Sequence, residues 1–322
     1  MGDLILALPF VETIKARYPE CELHVLSSLY ASPILENNRR IDKIMRVQND
    51  QLKSSKLYRK DMLHKLKMGK YKVVVALYPE RQICRLFYKA AIPYRIGTIG
   101  RFHSAFFNYH LFHSRKSNRK HEYEYNLDFL KFFRDGELVT TPRVYPKEKD
   151  MRNARRILSE AGIEGKFVVL HPGSGGSAER WPIKKFIQLY AVLKKRGLQV
   201  VVSGSADEGT IIDNAARNLN ITLDHIAGET DLRTLAAVLS LASTVVANST
   251  GPLHLAVAVG TRVVGLYPSK RIMSPVRWGP LGEGHRVIQP HSVDEESADQ
   301  LIRMDTIPVE RVATEVMAVY NS

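Results

Sequence analysis

Two hydrophobic patterns take turns along the second half of the chain. FVVLHPG (167–173), LQVVVSG (198–204), LDHIAG (223–228), TVVAN (244–248) and RVVGLYP (262–268) are short apolar runs without polar alternation. Such runs predict strands buried on both faces, as in parallel sheets. Between them lie helical patterns. One is framed by Pro182 in the first turn and Gly197 after the last; others read EGTIIDNAARNL (208–219), DLRTLAAVLSLA (231–242) behind Thr230 or Asp231, and GPLHLAVAVG (251–260). Strand and helix in this order predict a doubly wound α/β domain.

The first half repeats the scheme less regularly. LPFVETIKARYP (8–19) and HEYEYNLDFLKFFRDG (121–136) predict helices, and ELHVLSS (22–28), KIMRVQ (43–48) and KVVVAL (72–77) predict strands. TTPRVYPKEKD (140–150), with two prolines and mixed charge, predicts a linker. The expected fold class is therefore α/β, with two Rossmann-like doubly wound parallel-sheet domains, residues 1–145 and 146–322, facing a cleft that takes ligands at the strands' carboxyl ends. The final helix is expected to pack back on the N-terminal domain. A doubly wound domain opens with a strand, whereas helical pattern starts here almost at residue 1, so the first N-terminal strand is expected to be missing.

Charge sharpens the division. The net charge is +14, and residues 1–150 hold 28 Lys and Arg against 16 Asp and Glu, while residues 151–322 hold 19 against 17. Within 51–120 the count is 17 against 2. Such a field draws anionic partners, either a lipid surface or a phosphorylated glycolipid. No RNA-binding module signature accompanies it, so nucleic acid is not an expected partner. Cys21 and Cys84 form no CxxC or metal-ligand spacing, which fits a reducing compartment. No apolar stretch is long enough to span a bilayer and the start is a poor signal peptide, so a cytoplasmic location is expected.

Four loops carry the candidate chemistry: HPGSGGSAERWP (171–182), GSADE (204–208), AGETD (227–231) and NSTGPLH (248–254). All follow predicted strands and share one sheet edge. They offer hydroxyls, glycine backbone and a helix start at Thr250, the makings of a pocket for a nucleotide diphosphate. There is no GxxxxGK[ST], no GxGxxG after a strand and no GxSxG, which excludes P-loop, dinucleotide and hydrolase-elbow readings. There is also no DxD to hold a divalent metal, so a departing diphosphate would need organic cations, with Arg180 the best placed. By residue type alone, Asp3 suits a helix N-cap, Ser174 a turn, Glu208 a cap on the following helix, and His254 a buried core histidine.

HPGSGG…RWP, GSADE, AGETDLRTLAAVL and NSTGPLHLAVAVGT, together with the opening MGDLILALPFVETIKARYP and RIGTIGR before KHEYEYNLDFL, resemble glycosyltransferase family 9, the lipopolysaccharide heptosyltransferases. The resemblance runs over nearly the whole chain in the right order. It implies a GT-B fold and an inverting, metal-independent transfer with no cofactor. The donor would be a nucleotide-sugar, ADP-heptose, and the acceptor a lipopolysaccharide core at the cytoplasmic face of the inner membrane. On it, Asp3 matches the general base and Arg180 the cation for the leaving diphosphate. Gly173, Ser174, Thr250 and Gly251 match the phosphate-facing set, Glu208 the ribose ligand, Ser249 the sugar-facing position and His254 the histidine near the helix start. Arg101 and His121 fall in the expected acceptor-binding segment.

Ser249 departs from the N-D-[ST]-G that many relatives carry, removing a carboxylate that can bind sugar hydroxyls. Two other readings remain open at this level: a nucleotide-sugar epimerase of the same architecture, and a degenerate protein that keeps the fold and binds a glycan or membrane surface.

Overall fold

A computed structural model of the 322-residue chain describes residues 1–100, 102–112, 115–173, 179–290 and 303–322, without the side chain of Lys116. The chain divides into two compact units. One comprises Met1–Leu8, Pro33–Asn38 and Thr141–Ser322, and the other Pro9–Ser32 and Arg39–Thr140. The crossing at 140–141 lies inside the expected linker. The first eight residues and 33–38 belong with the later part of the chain, a grouping that a single cut at residue 145 does not anticipate.

In chain order, α1 (Gly2–Ile5) and α2 (Leu8–Arg17) lead into the smaller unit. Its strands are β1 (His24–Ser28), β2 (Lys43–Val47), β3 (Val73–Val75), β4 (Tyr94–Thr98) and β5 (Tyr109–Leu111). Helices α3 (Asn49–Ser54), α4 (Lys56–Met68), α5 (Arg81–Lys89) and α6 (Glu122–Leu127) interleave with them. All the pairings are parallel, but the strands form two sheets, β1-β2 and β3-β4-β5, instead of the one sheet expected. Both sheets sit in one layer. His24 Nδ1 and the Tyr71 hydroxyl meet at 2.7 Å where β1 begins and β3 is about to. One apolar cluster joins Leu26, Met45 and Val47 to Val74 and Ala76 beneath α3, α4 and α5. Another joins Leu23 and Val75 to Phe10 and Ile14 of α2. The helix expected over 121–136 is instead α6 followed by a 3-10 turn, Asp128–Phe132, whose Phe129 packs edge-on against Phe10 with ring centroids 6.4 Å apart.

The larger unit is more regular. Helix α7 (Glu148–Glu160) precedes β6 (Phe167–His171), α8 (Ile183–Lys195), β7 (Gln199–Val202), α9 (Ala206–Asn218) and α10 (Leu232–Leu241). Then follow β8 (Thr244–Asn248), α11 (Gly251–Ala258), β9 (Val263–Leu266), α12 (Pro275–Trp278), β10 (Arg286–Ile288) and α13 (Val309–Asn321). The five strands form one parallel sheet in the order β10-β9-β8-β6-β7. Every residue of β6, β8 and β9 is buried, as their unbroken apolar runs require. LDHIAG makes no strand, only a bridge between His225 and Val202. There the Tyr190 hydroxyl accepts the Asp224 N–H at 3.0 Å and donates to the Asp224 carboxylate at 2.8 Å, taking groups that a ladder would use. The fifth strand is β10, which its short and half-exposed sequence did not announce. Helix α13 buries Val312, Ala313, Val316 and Val319 in this unit's own core, where the expectation had sent the final helix to the N-terminal domain. No helix among the described residues is long and apolar enough to cross a membrane.

The segment 33–38 is held in the larger unit by charge. Arg233 on α10 meets Glu36 at 2.5 Å and Asp150 on α7 at 2.6 Å, and Lys147 reaches Glu36 at 3.2 Å. Burial alone would raise the Asp150 carboxyl, but the Arg233 guanidinium and the Lys147 N–H outweigh it and hold the pKa below the usual value. A carboxylate depressed in this way stabilises the fold above about pH 4 and loses that contribution as pH falls through its lowered pKa. Arg233→Ala should therefore cost about 1–3 kcal/mol at pH 7 by urea denaturation, less than a fully buried pair because the guanidinium is partly solvated. The gap to wild type should narrow when the titration is repeated at pH 3.

Candidate active site

Parallel strands put all their carboxyl ends on one edge, and in the larger unit four of them end in polar residues or polar loops. Beta strand β6 ends at His171, β7 leads into Ser203, β8 ends at Asn248 followed by Ser249 and Thr250, and β9 leads into Tyr267. The main chain makes the edge compact. Ser203 N–H donates to Leu170 O at 2.9 Å, and Gly228 N–H to Gly204 O at 3.0 Å.

Glu208 has two jobs here. In a reciprocal cap of α9, its N–H donates to Ser205 Oγ at 3.3 Å and its Oε2 accepts from Ser205 N–H at 2.8 Å. Its carboxylate also lies directly on Gly173: a methyl group there would fall 2.2 Å from Oε1. Glycine at 173 is therefore what lets the loop after β6 touch α9. Beside this carboxylate, His171 is buried and its Nδ1 lies 2.9 Å from Ser203 Oγ. Burial pushes the His171 pKa down to about 4, with the Glu208 charge pulling it partway back, so the ring is neutral near pH 7.

Around β8 the picture is equally specific. Ser249 N–H donates to Leu266 O at 2.9 Å, and the nearby Tyr267 hydroxyl donates to Trp278 O at 2.7 Å. Thr250, buried, is the N-cap of α11, and its hydroxyl donates to Asn248 O at 3.2 Å. The first residues of the chain pack against α11. A methyl group at Gly251 would sit 2.5 Å from Met1 Cε, and one at Gly2 would sit 3.2 Å from His254 Cδ2. Asp3 lies in the first turn of α1, two residues past the N-cap Met1, and is exposed. It is thus brought alongside Thr250, Gly251 and His254. Its residues are not frayed, since Ile5, Leu6, Ala7 and Leu8 are all buried. His254 is itself buried. Partial burial lowers the pKa of the Met1 amino group, with Asp3 acting in the opposite sense.

Arg180 closes the loop after β6. It is exposed and makes no ion pair with an acidic group among the described residues, while the adjoining Trp181 is fully buried. Ser174 and Arg101 lie outside the described residues. His121, in the smaller unit, is the N-cap of α6: its Nδ1 accepts from Tyr123 N–H at 3.3 Å and its own N–H donates to Glu124 Oε2 at 2.7 Å. That role spends the groups the acceptor reading had assigned to it. Next to it stands a buried pair that sequence reasoning missed, Arg115 on Glu122 at 2.7 Å, with Tyr78 and Asn126 completing the hydrogen bonds. His171 and Asn248 were also missed as site residues. Their signal was a polar residue closing an otherwise apolar strand.

The arrangement can hold an anion with hydroxyls, glycine backbone and one unpaired guanidinium, and it offers an exposed carboxylate nearby as a base. Among the described residues no three His, Cys, Asp or Glu side chains gather as metal ligands.

Comparison with known proteins gives the family and the fold. The sequence profile of glycosyltransferase family 9 (heptosyltransferase) matches residues 59–305. Lipopolysaccharide heptosyltransferase 3 of Escherichia coli K12 is 25% identical over 292 residues, covering 88% of this chain and 83% of its own. Among solved structures, a family 9 glycosyl transferase from Veillonella parvula superposes with a TM-score of 0.87 at 18% identity, covering 99% of this chain and 94% of that one. The E. coli ADP-heptose heptosyltransferase II superposes with a TM-score of 0.78 at 21% identity, covering 99% and 96%. At these identities the likeness is one of fold, and the fold is GT-B.

The His171 environment has a measurable consequence. The unfolded chain takes up this proton near pH 6.5 and the folded chain only near pH 4, so stability should fall as pH drops through that window. His171→Asn should flatten that part of the curve of denaturation midpoint against pH. An unchanged slope would show that His171 does not supply it.

Proposed function

We propose that this chain, which belongs to glycosyltransferase family 9 and is a glycosyltransferase, moves a heptose from ADP-heptose onto a lipopolysaccharide core, with inversion and without a metal. The observation that carries the reading is the packing of α1 on the start of α11. Gly2 and Met1, the neighbours of the exposed Asp3, lie against Gly251 and His254 at that helix start, which supports a base role for Asp3.

In this reading the ADP diphosphate lies against the Thr250–Gly251 turn and the loop after β6. Asp3 takes the proton from an acceptor hydroxyl as its oxygen attacks the anomeric carbon. The bond from that carbon to the diphosphate oxygen breaks with inversion, and the negative charge passes to the leaving ADP. Arg180 and the partial positive charge at the α11 N-terminus stabilise it. Glu208, accessible beside Gly173, would take ribose hydroxyls. The 17 basic against 2 acidic residues in 51–120 suit an acceptor rich in phosphates and acidic sugars at an anionic membrane face. A second reading has its own observation. Ser249 puts a neutral hydroxyl where the family resemblance has a carboxylate, which suits a donor sugar held without one, and hence a sugar nucleotide other than ADP-heptose.

Calorimetry of a nucleotide-sugar panel in EDTA, followed by transfer assays, tests both. ADP-heptose should bind saturably without metal. Asp3→Ala should bind it as wild type does while turnover falls about 10²–10⁴-fold, the usual contribution of a general base. Arg180→Ala should lower turnover about 10²–10³-fold. Saturation by another sugar nucleotide would move the donor and keep the mechanism, and undiminished turnover in Asp3→Ala would remove the base.

A further inference from the structure

Asn248 is fully buried at the end of β8, and both ends of its amide are used. Nδ2 donates to Pro172 O at 2.9 Å, and Oδ1 accepts from Trp181 N–H at 2.9 Å. Pro172 and Trp181 are the two ends of the glycine- and serine-rich loop. One planar amide therefore closes that loop, while the Asn248 carbonyl receives the Thr250 hydroxyl at 3.2 Å. The end of β6 and the residue after Arg180 are both referenced to this one side chain, and the N-cap of α11 to the main chain of the same residue.

The chemistry demands asparagine. The site needs one donor and one acceptor at fixed positions on a short stem. A carboxylate would aim a second acceptor at the Pro172 carbonyl, and an apolar residue would leave two buried backbone groups unmet at about 1–3 kcal/mol each. Nor is the amide what seats Trp181 in the core. The indole Nε1 donates to Ile307 O at 3.1 Å, and the ring packs on Phe186 with centroids 5.0 Å apart. What Asn248 adds is the placement of the backbone on either side: Gly173, against which Glu208 rests, and Arg180, whose guanidinium is exposed and makes no ion pair among the described residues.

We propose that Asn248 is a positioning residue for the donor diphosphate, closing the loop 172–181 on β8 so that Arg180 is held in register with the first turn of α11. It touches no substrate and acts through the loop ends. The proposal rests on the donor reading above. Since a displacement of about 1 Å can cost about 10²-fold in rate, a side chain that sets this register acts on turnover and not only on stability.

The test compares wild type with Asn248→Asp and Asn248→Ala in the full chain. Three quantities are read: hydrogen exchange of the 172–181 segment, calorimetric binding of ADP, and kcat and donor KM from pH 5 to 8. Asn248→Asp is nearly isosteric, and its buried carboxyl has a raised pKa. Protonated, it restores one donor and one acceptor. It should lose about 10–100-fold in kcat and bind ADP about tenfold more weakly at pH 8, then recover towards wild type as pH falls. Asn248→Ala should show the deficit at every pH, with faster exchange over 172–181 in both variants at pH 8. The titratable and charged groups on elements packed around residue 248 are His171, Glu208, Arg180 and His254. Wild type shares them, so the difference between profiles reports residue 248 alone.

Wild-type kcat and KM in Asn248→Asp at pH 8, or a deficit that does not change with pH, would overturn the proposal. If Asn248→Ala fails to fold, the aspartate variant decides. If wild type neither binds ADP nor transfers, the donor reading has failed, and exchange over 172–181 still shows whether the amide closes the loop.

Discussion

Burial of the five-stranded sheet on both faces is the constraint from which the rest of the larger unit follows. Beta strands β6, β8 and β9 have no solvent-facing side, so a polar side chain within them would lose its hydration without replacement. Polar chemistry is thereby displaced to the strand ends. Because all five strands run parallel, their carboxyl ends coincide and the displaced residues meet. His171 finds Ser203, Glu208 finds Gly173, and Asn248 finds both ends of a loop. The candidate site collects where the apolar strands end.

The same logic explains why glycine matters at 173 and 251. At Gly173 the missing side chain is where the Glu208 carboxylate sits, and at Gly251 it is where Met1 sits. In both places two segments far apart in sequence approach within a methyl radius. These contacts join separate loops, and they pack the start of α1 against the start of α11. Charge does the corresponding work for residues 33–38. The Arg233 fork satisfies Glu36 and Asp150 together and binds a piece of the first half of the chain to α7 and α10.

The smaller unit was harder to read. Its strands are three to five residues long and partly exposed, as in β3, where Val73 is exposed and Val74 and Val75 are half-buried. A three-residue strand spans too little of a period to separate it from a loop, so β5 went unforeseen, as did β4, with its Arg, Gly and Thr, the short α3, and α4 and α5, dense in lysine and arginine. His121 carries a role that the sequence reading did not name: in a basic aromatic stretch that suggested a ligand contact, it caps α6.

By itself the sequence determined strands β6 to β9 and helices α8 to α11 of the larger unit and the parallel direction of those strands, because unbroken Val-rich runs and capped amphipathic helices are local signals. It also determined the family, through loop motifs carried in the right order, and the charge contrast between the halves. Tertiary structure alone decided that the strands of the smaller unit form two sheets, that LDHIAG is spent on Tyr190 and not on a ladder, and that α13 completes the larger unit's core. It alone joined Asp3 to α11 and gave Asn248 its two partners, 76 and 67 residues distant. Those outcomes depend on which groups become neighbours once the core has closed, and no window along the chain contains both partners.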